Sequence, residues 1–323
     1  MTIVVSCGEP AGIGPEVAAK AWEATRLPLL WIGDPRHLPR GTPVAEVSGP
    51  EEAEEAAPHA LPVLARDFGP GAMPGEPNPV HAQGVIDAIA DGVRLIREGR
   101  ARALCTAPIS KEALIRGAGF AYPGHTEFLA HLGGDVEVVM MLACDALRVV
   151  PATIHVPIAE VPRLLAPDLL EGVLRITHAS LRDDWGLPSP RIAVAGLNPH
   201  AGEGGLMGSE ERTVIGPVLE RLRAEGMDLR GPLPGDTMFH QEARAGYDAA
   251  VCMYHDQALI PIKTLDFARG VNATLGLPFV RTSPDHGTAF GIAGKGIADA
   301  RSMIAALELA DRLSKRRGVP WRR

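Results

Sequence analysis

The sequence has few lysines, no excess of positive charge and no long apolar run. Only five of its 32 basic residues are lysine, and the formal net charge at pH 7 is −7. This negative balance argues against nucleic acid or an anionic membrane as a partner held by bulk electrostatics. No apolar run approaches the roughly 18 residues that would span a bilayer. We therefore predict a protein that binds neither nucleic acid nor membrane.

Cysteine is also scarce, and the four cysteines, at positions 7, 105, 144 and 252, show no spacing typical of a metal site. Each lies within an apolar run, which indicates buried thiols in a reducing compartment. The N-terminal residues lack the basic leader of a signal peptide. These features predict a cytoplasmic protein. Neither a GxGxxG fingerprint nor a Walker loop is present.

Short apolar runs typical of strands alternate along the chain with segments whose apolar residues have helical spacing. Residues 81–98 carry Val85, Ile89 and Val93 at helical spacing, and Gly99 follows as a stop signal. Short apolar runs at 2–7, 103–107, 191–197 and 249–254 are typical of buried strands. The alternation of strands and helices predicts an α/β fold with a mostly parallel sheet. A chain of 323 residues usually forms two domains or one large α/β unit.

Two segments follow the carboxyl ends of predicted strands, where α/β sheets collect their ligands. Residues 8–16, GEPAGIGPE, could cradle an anion at a helix N-terminus, but their spacing favours a plain tight connection. In residues 106–111, Ser110 can cap a helix. Lys111 either reaches the ligand crevice or is a solvated lysine in the first helical turn.

Three histidines share one placement. His155, His200 and His255 each come at or just after the carboxyl end of an apolar strand. Three imidazoles can hold a divalent cation and leave a position open for substrate. The alternative is three separate hydrogen-bonded histidines near loops; their common placement favours a metal site. His125 and His286 each adjoin a glycine and are predicted to contact ligand.

Six motifs lie in order along the chain, at residues 8–16, 106–111, 124–128, 198–203, 235–237 and 254–257. Together they resemble the 4-hydroxythreonine-4-phosphate dehydrogenases of pyridoxal phosphate biosynthesis. The resemblance implies the fold of isocitrate and isopropylmalate dehydrogenases, with two α/β domains around a cleft. We expect a first domain at 1–121 with 294–323 and a second at 122–293, which carries the metal site and a homodimer interface.

The resemblance also implies an activity and a site. Expected is NAD- or NADP-dependent oxidation of 4-phosphohydroxy-L-threonine to 2-amino-3-oxo-4-phosphooxybutanoate, which decarboxylates to 3-amino-2-oxopropyl phosphate. The family's metal ligands fall on His155, His200 and His255, two from one subunit and one from its partner. Zinc is expected, with magnesium, cobalt or manganese as alternatives. The substrate residues of the family fall on His125, Thr126, Lys263, Asn272 and Arg281.

The glycine-rich run 286–299 resembles the nicotinamide-cofactor loop of isopropylmalate dehydrogenases. Gly291 replaces the acid that favours NAD over NADP in those enzymes, so the preference is open. The predicted cofactor residues are His286, Gly287, Thr288, Ala289, Gly291, Ile292, Gly294 and Asp299.

Three other functions fit parts of the pattern. A zinc-dependent hydrolase or aldolase would use the histidines alone. A phosphate-ligand binding module would need no cofactor. Within the family that the chain resembles, oxidation of another phosphorylated hydroxy acid or of an aromatic dihydrodiol is the main alternative.

Overall fold

A computed structural model describes residues 1–322. The chain forms two compact units, Met1–Val138 together with the chain from Leu277 onward, and Val139–Gly276. These bounds differ from the predicted 1–121 with 294–323 and 122–293. Residues 280–284 belong to the first unit because they form a strand that pairs with Ala103, Leu104 and Cys105. Phe128 belongs there too, since its ring packs edge-on against Phe120 at 5.3 Å.

The strands and helices alternate through both units. In chain order the strands are β1 (Thr2–Ser6), β2 (Leu29–Gly33), β3 (Val44–Glu46), β4 (Leu61–Ala65), β5 (Ala101–Thr106), β6 (Val139–Cys144), β7 (Leu147–Pro151), β8 (Arg191–Ala195), β9 (Asp228–Leu233), β10 (Ala249–Cys252), β11 (Val271–Leu275) and β12 (Val280–Pro284). The helices are α1 (Gly14–Thr25), α2 (Pro50–Ala56), α3 (Ala82–Arg97), α4 (Lys111–Ala118), α5 (His125–Leu132), α6 (Val161–Leu164), α7 (Pro167–Asp183), α8 (Gly216–Ala224), α9 (Gln241–Arg244), α10 (His255–Leu265) and α11 (Arg301–Arg317). The predicted α/β class is confirmed.

The first unit has a parallel sheet in the order β3-β4-β2-β1-β5-β12. Every residue of β1 and β5 is buried, as expected for central strands covered on both faces. Helix α3 has the predicted apolar face, with Val85, Ile89 and Val93 buried. Ser110 caps α4 as predicted, since its hydroxyl accepts a hydrogen bond from Ala113 N.

The second unit has the strand order β11-β6-β7-β10-β8-β9. Strands β7, β10, β8 and β9 run parallel, whereas β6 pairs antiparallel with β7 and with β11. The tight connection Asp145–Ala146 forces this reversal, because parallel neighbours need a long crossover. Helix α10 includes Pro261 in its interior. Proline has no backbone N–H, so the helix lacks one hydrogen bond at this position.

The helices of residues 1–322 include none that is long and apolar enough to cross a membrane.

Candidate functional site

In the second unit, two of the three predicted metal histidines lie side by side. Strands β7 and β10 are parallel neighbours, with Cys252 beside Pro151. His155 and His255 follow these strand ends at similar distances along the chain, and their ring centroids are 5.8 Å apart. The predicted convergence of strand ends therefore holds for this pair.

The segment after β10 orients its own histidine. His255 Nδ1 donates to Asp256 Oδ1 at 2.7 Å, which leaves Nε2 for another partner. A carboxylate on the second ring nitrogen is a common way to orient a metal-binding imidazole. Gln257 holds the segment in place by two hydrogen bonds. Its Oε1 accepts from Met253 N at 2.7 Å, and its Nε2 donates to Gly196 O at 2.8 Å.

His200 lies in a left-handed turn, with φ of 53°. The next four residues also have positive φ, including Ala201 and Glu203, which are not glycine. Such a conformation costs roughly 1–2 kcal/mol for each non-glycine residue and persists only where contacts enforce it. Buried Glu211 supplies contacts, because it accepts hydrogen bonds from Asn198 N at 2.7 Å and Asn198 Nδ2 at 3.0 Å.

Residues 1–322 of a single chain do not bring all three predicted ligands together. Within residues 1–322, no group of three His, Cys, Asp or Glu side chains lies close enough to hold a metal ion. His155 and His200 are exposed. His200 and Asp256 line a cavity of about 450 Å³ with Asp236 of the 235–237 motif. The histidine pair fits a divalent ion chemically, but a complete set needs a further ligand.

In the first unit, Arg281 is buried on β12 beside the end of β5. Its Nε and Nη2 donate to the Thr106 hydroxyl at 3.2 and 2.6 Å. Burial lowers the pKa of Arg281 to about 10, so the guanidinium remains charged at pH 7. Thr106 is fully buried, and the two hydrogen bonds that it accepts fix the orientation of the guanidinium plane.

His125 and Thr126 begin helix α5, after Gly124. Burial, followed by the Arg281 charge, lowers the pKa of His125 well below its usual range, so the ring is neutral at pH 7. Among residues 1–322 its buried Nε2 has no hydrogen-bond partner. A buried polar atom of this kind is costly unless a ligand satisfies it. The helix N-terminus also favours a negative charge.

The other two predicted substrate residues are in the second unit. Lys263 lies in the last turn of α10, with its ammonium 5.5 Å from the Phe267 ring centroid. Asn272 lies on β11, and its buried Oδ1 is without a hydrogen-bond partner in the described part of the chain.

The predicted cofactor residues form one irregular segment of the first unit, 286–299, here called the cofactor loop. Ala289 has a φ of 46°, and a short 3₁₀ turn, Phe290–Ile292, follows. His286 Nε2 is buried and, within residues 1–322, unpartnered. A Cβ atom at Gly287 or Gly291 would have no neighbour within 4 Å among the described residues, which leaves room for a ligand. Asp299 is already bound by Arg301, which lowers its pKa.

A cavity of about 770 Å³ adjoins this loop. Its walls include Gly12, Lys20, Arg40, Gly294 and Gly296. Ligand pockets commonly have volumes of roughly 300–1,000 Å³.

Lys111 is exposed at the start of α4.

Sequence reasoning did not single out Thr106, Glu211, Glu16 or Lys20. Thr106 and Glu16 are in quoted motifs, and Glu16 with Lys20 shows the i,i+4 spacing of a surface ion pair. Glu211 has no signal in the sequence, because its partner Asn198 is found only in three dimensions.

The family model "Pyridoxal phosphate biosynthetic protein PdxA" matches residues 25–310 of this chain. A 4-hydroxythreonine-4-phosphate dehydrogenase of Paracoccus denitrificans is 62% identical over 98% of this chain and 98% of its own length. The crystal structure of 4-hydroxythreonine-4-phosphate dehydrogenase from Klebsiella pneumoniae superposes with a TM-score of 0.87 at 38% identity, covering 97% of this chain and 99% of that one.

A more distant solved structure is named for a different activity. A terephthalate 1,2-cis-dihydrodiol dehydrogenase from Burkholderia xenovorans is 28% identical with a TM-score of 0.65, covering 100% of this chain and 99% of that one.

Proposed function

Because the chain belongs to the PdxA family and is a dehydrogenase acting on a CH–OH group, we propose that its substrate is 4-phosphohydroxy-L-threonine. The proposed reaction uses NAD or NADP and a divalent metal, zinc ahead of magnesium, cobalt or manganese. It yields 2-amino-3-oxo-4-phosphooxybutanoate, which decarboxylates to 3-amino-2-oxopropyl phosphate. The proposed setting is the cytoplasm.

One observation carries the proposal. Arg281, a buried cation, lies beside His125, a neutral histidine whose buried Nε2 lacks a partner within residues 1–322. A phosphate ester offers the oxygens and negative charge that these groups would bind. Thr126, at the N-terminus of α5, would add a hydroxyl. Lys263 and Asn272 are proposed to bind the rest of the substrate.

Three residues of the second unit can be given roles without assuming how a bound metal is coordinated. His155 and His255 would hold the ion as neutral imidazoles, and Asp256 would orient His255. When bound, a divalent cation polarises the substrate oxygen and stabilises developing negative charge. Binding by imidazole weakens as pH falls, because protonation removes the ligand lone pair.

A homodimer is the proposed assembly, with the third histidine contributed by the partner. The support is that an exposed apolar side chain follows each histidine within six residues of the sequence: Ile158 is 71% exposed, Leu206 86% and Ile260 63%. Apolar side chains at this exposure are typical of a surface that another chain covers.

The decisive experiment follows cofactor reduction by absorbance, with 4-phosphohydroxy-L-threonine and either NAD or NADP. Treatment with a chelator should reduce the rate to below about 1%, and a divalent ion should restore it. An unchanged rate after metal removal would contradict the metal assignment.

A second candidate is oxidation of an aromatic cis-dihydrodiol, favoured by the 28% identical relative from Burkholderia xenovorans. The same assay with terephthalate cis-dihydrodiol distinguishes the two. Reduction with the dihydrodiol alone would replace the phosphorylated substrate with an aromatic one.

Thr106 supplies a further prediction. Thr106→Val keeps the volume but removes the hydroxyl that bonds Arg281, whereas Thr106→Ser keeps the hydroxyl. Since hydrogen bonds to charged groups contribute about 1.5–3 kcal/mol, Thr106→Val should raise the substrate KM at least about tenfold. The serine variant should stay near wild type. Equal KM values in both variants would show that the hydroxyl does not position Arg281.

A further inference from the structure

Two side chains of helix α1, one helical turn apart, form hydrogen bonds with the cofactor loop. Lys20 Nζ donates to Gly296 O at 3.0 Å and to Ala298 O at 2.8 Å. Glu16 Oε1 accepts from Ala298 N at 2.9 Å and from Lys20 Nζ at 2.8 Å. The two side chains thus bind both an N–H and two carbonyl groups of residues 296–298.

The burial of Glu16 distinguishes this arrangement from a surface ion pair, although 37% of the Lys20 side chain is exposed. Glu16 is only 6% exposed and Ala298 only 3%. A buried carboxylate is tolerated when charge-assisted hydrogen bonds replace water, and here the loop supplies one of them.

The segment before α1 reaches the other part of the loop. Ile13 N donates to Thr288 O at 2.9 Å. A Cβ atom on Gly12 would lie 2.9 Å from the same carbonyl oxygen, so the close approach requires glycine. Residues 12–20 therefore contact the loop near both ends.

These contacts give the 8–16 motif a role other than holding phosphate. Glu9 N donates to Pro108 O at 2.8 Å, Gly12 N donates to Glu9 O at 3.0 Å and Ala11 N donates to Glu9 Oε1 at 3.1 Å. Together with Ile13 N these backbone donors already have protein acceptors. The motif is a tight connection that packs against the loop, as its spacing favoured.

We propose that Glu16 and Lys20 are positioning residues that hold the loop in the shape that binds the nicotinamide dinucleotide. This inference rests on the cofactor role proposed for residues 286–299. A loop that is ordered before binding loses less conformational entropy when the ligand arrives. The effect should therefore fall on cofactor binding, with little change in the chemical step.

The test compares Lys20→Met with Lys315→Met. Lys315 is a matched control, because its ammonium also pairs with a carboxylate four residues away, Asp311, at 2.8 Å. Hydrogen exchange of the peptide covering residues 294–299 measures how often this part of the loop opens. Titrations of the metal-loaded protein with NAD and NADP measure cofactor affinity. Steady-state assays then separate the cofactor KM, the substrate KM and kcat.

In Lys20→Met we expect faster exchange at Ala298 and a cofactor KM raised about tenfold, with kcat within about twofold of wild type. Lys315→Met should show neither change. If Lys20→Met unfolds, Glu16→Gln provides the same measurements, because it retains an acceptor for Ala298 N but loses the charge that holds Lys20.

The outcomes separate this inference from the proposed function. Faster exchange with unchanged cofactor affinity would overturn the positioning role while leaving the dehydrogenase intact. Unchanged exchange would show that the two side chains do not hold the loop. A wild-type protein that binds neither dinucleotide would refute the proposed function itself, and the inference with it.

Discussion

Replacing His200 with alanine should reduce kcat by on the order of 10³-fold, because Lewis-acid catalysis supplies several kcal/mol and each 1.36 kcal/mol is a factor of ten in rate. His200 is exposed and in a turn outside the sheet, so the thermal midpoint should change little. Alanine retains the same backbone requirement at a φ of 53°, which leaves the turn as strained as before.

The measurements are kcat and bound metal per subunit by elemental analysis. His59→Ala is the matched control, since His59 is an exposed histidine of the first unit remote in sequence from every proposed ligand. The control should keep both activity and metal. Full activity with full metal content in His200→Ala would remove His200 from the ligand set.

Replacing Arg281 with methionine should lower kcat/KM for the phosphorylated substrate by on the order of 10³-fold. Leaving one partner of a buried charge pair without the other typically costs about 3–5 kcal/mol. The free protein should not lose much stability, because methionine removes a buried charge and fills a similar volume. The cofactor KM should remain near its wild-type value.

Two companion variants sharpen this test. Arg281→Lys keeps the charge but loses the planar fork that Thr106 aligns, so it should recover only part of the activity. Arg66→Met removes a partly exposed arginine of the same unit that pairs with Asp91 at 2.6 Å and should retain activity. If Arg281→Met kept wild-type kcat/KM, the substrate phosphate would have to bind elsewhere.

The expected site residues came from two kinds of information. The placement of His155, His200 and His255 after apolar strands is local, because a short apolar run shows where a strand ends. His125 is predicted both from its position beside a glycine and from the family resemblance, and the resemblance alone assigns the other substrate residues, including Arg281, to the substrate. Thr106 lies in the 106–111 segment that both sources include, but neither gave it a role, because its partner Arg281 is 175 residues away in the sequence.

The sequence by itself determined the α/β class, the positions of several strands and helices, and the family. Apolar runs, helical spacing and caps such as Ser110 are local properties, so they can be read without a fold. Six ordered motifs identify a family because their combination is specific.

Only the tertiary structure decided which strands are neighbours, and therefore which side chains meet. The pairing of β7 with β10 brings His155 to His255, and the packing of α1 against the cofactor loop brings Lys20 to Ala298 across 278 residues of chain. Such contacts depend on the sheet order and on crossover connections, which no local pattern encodes. The left-handed turn at His200 is likewise enforced by distant groups, since local preference opposes positive φ in non-glycine residues.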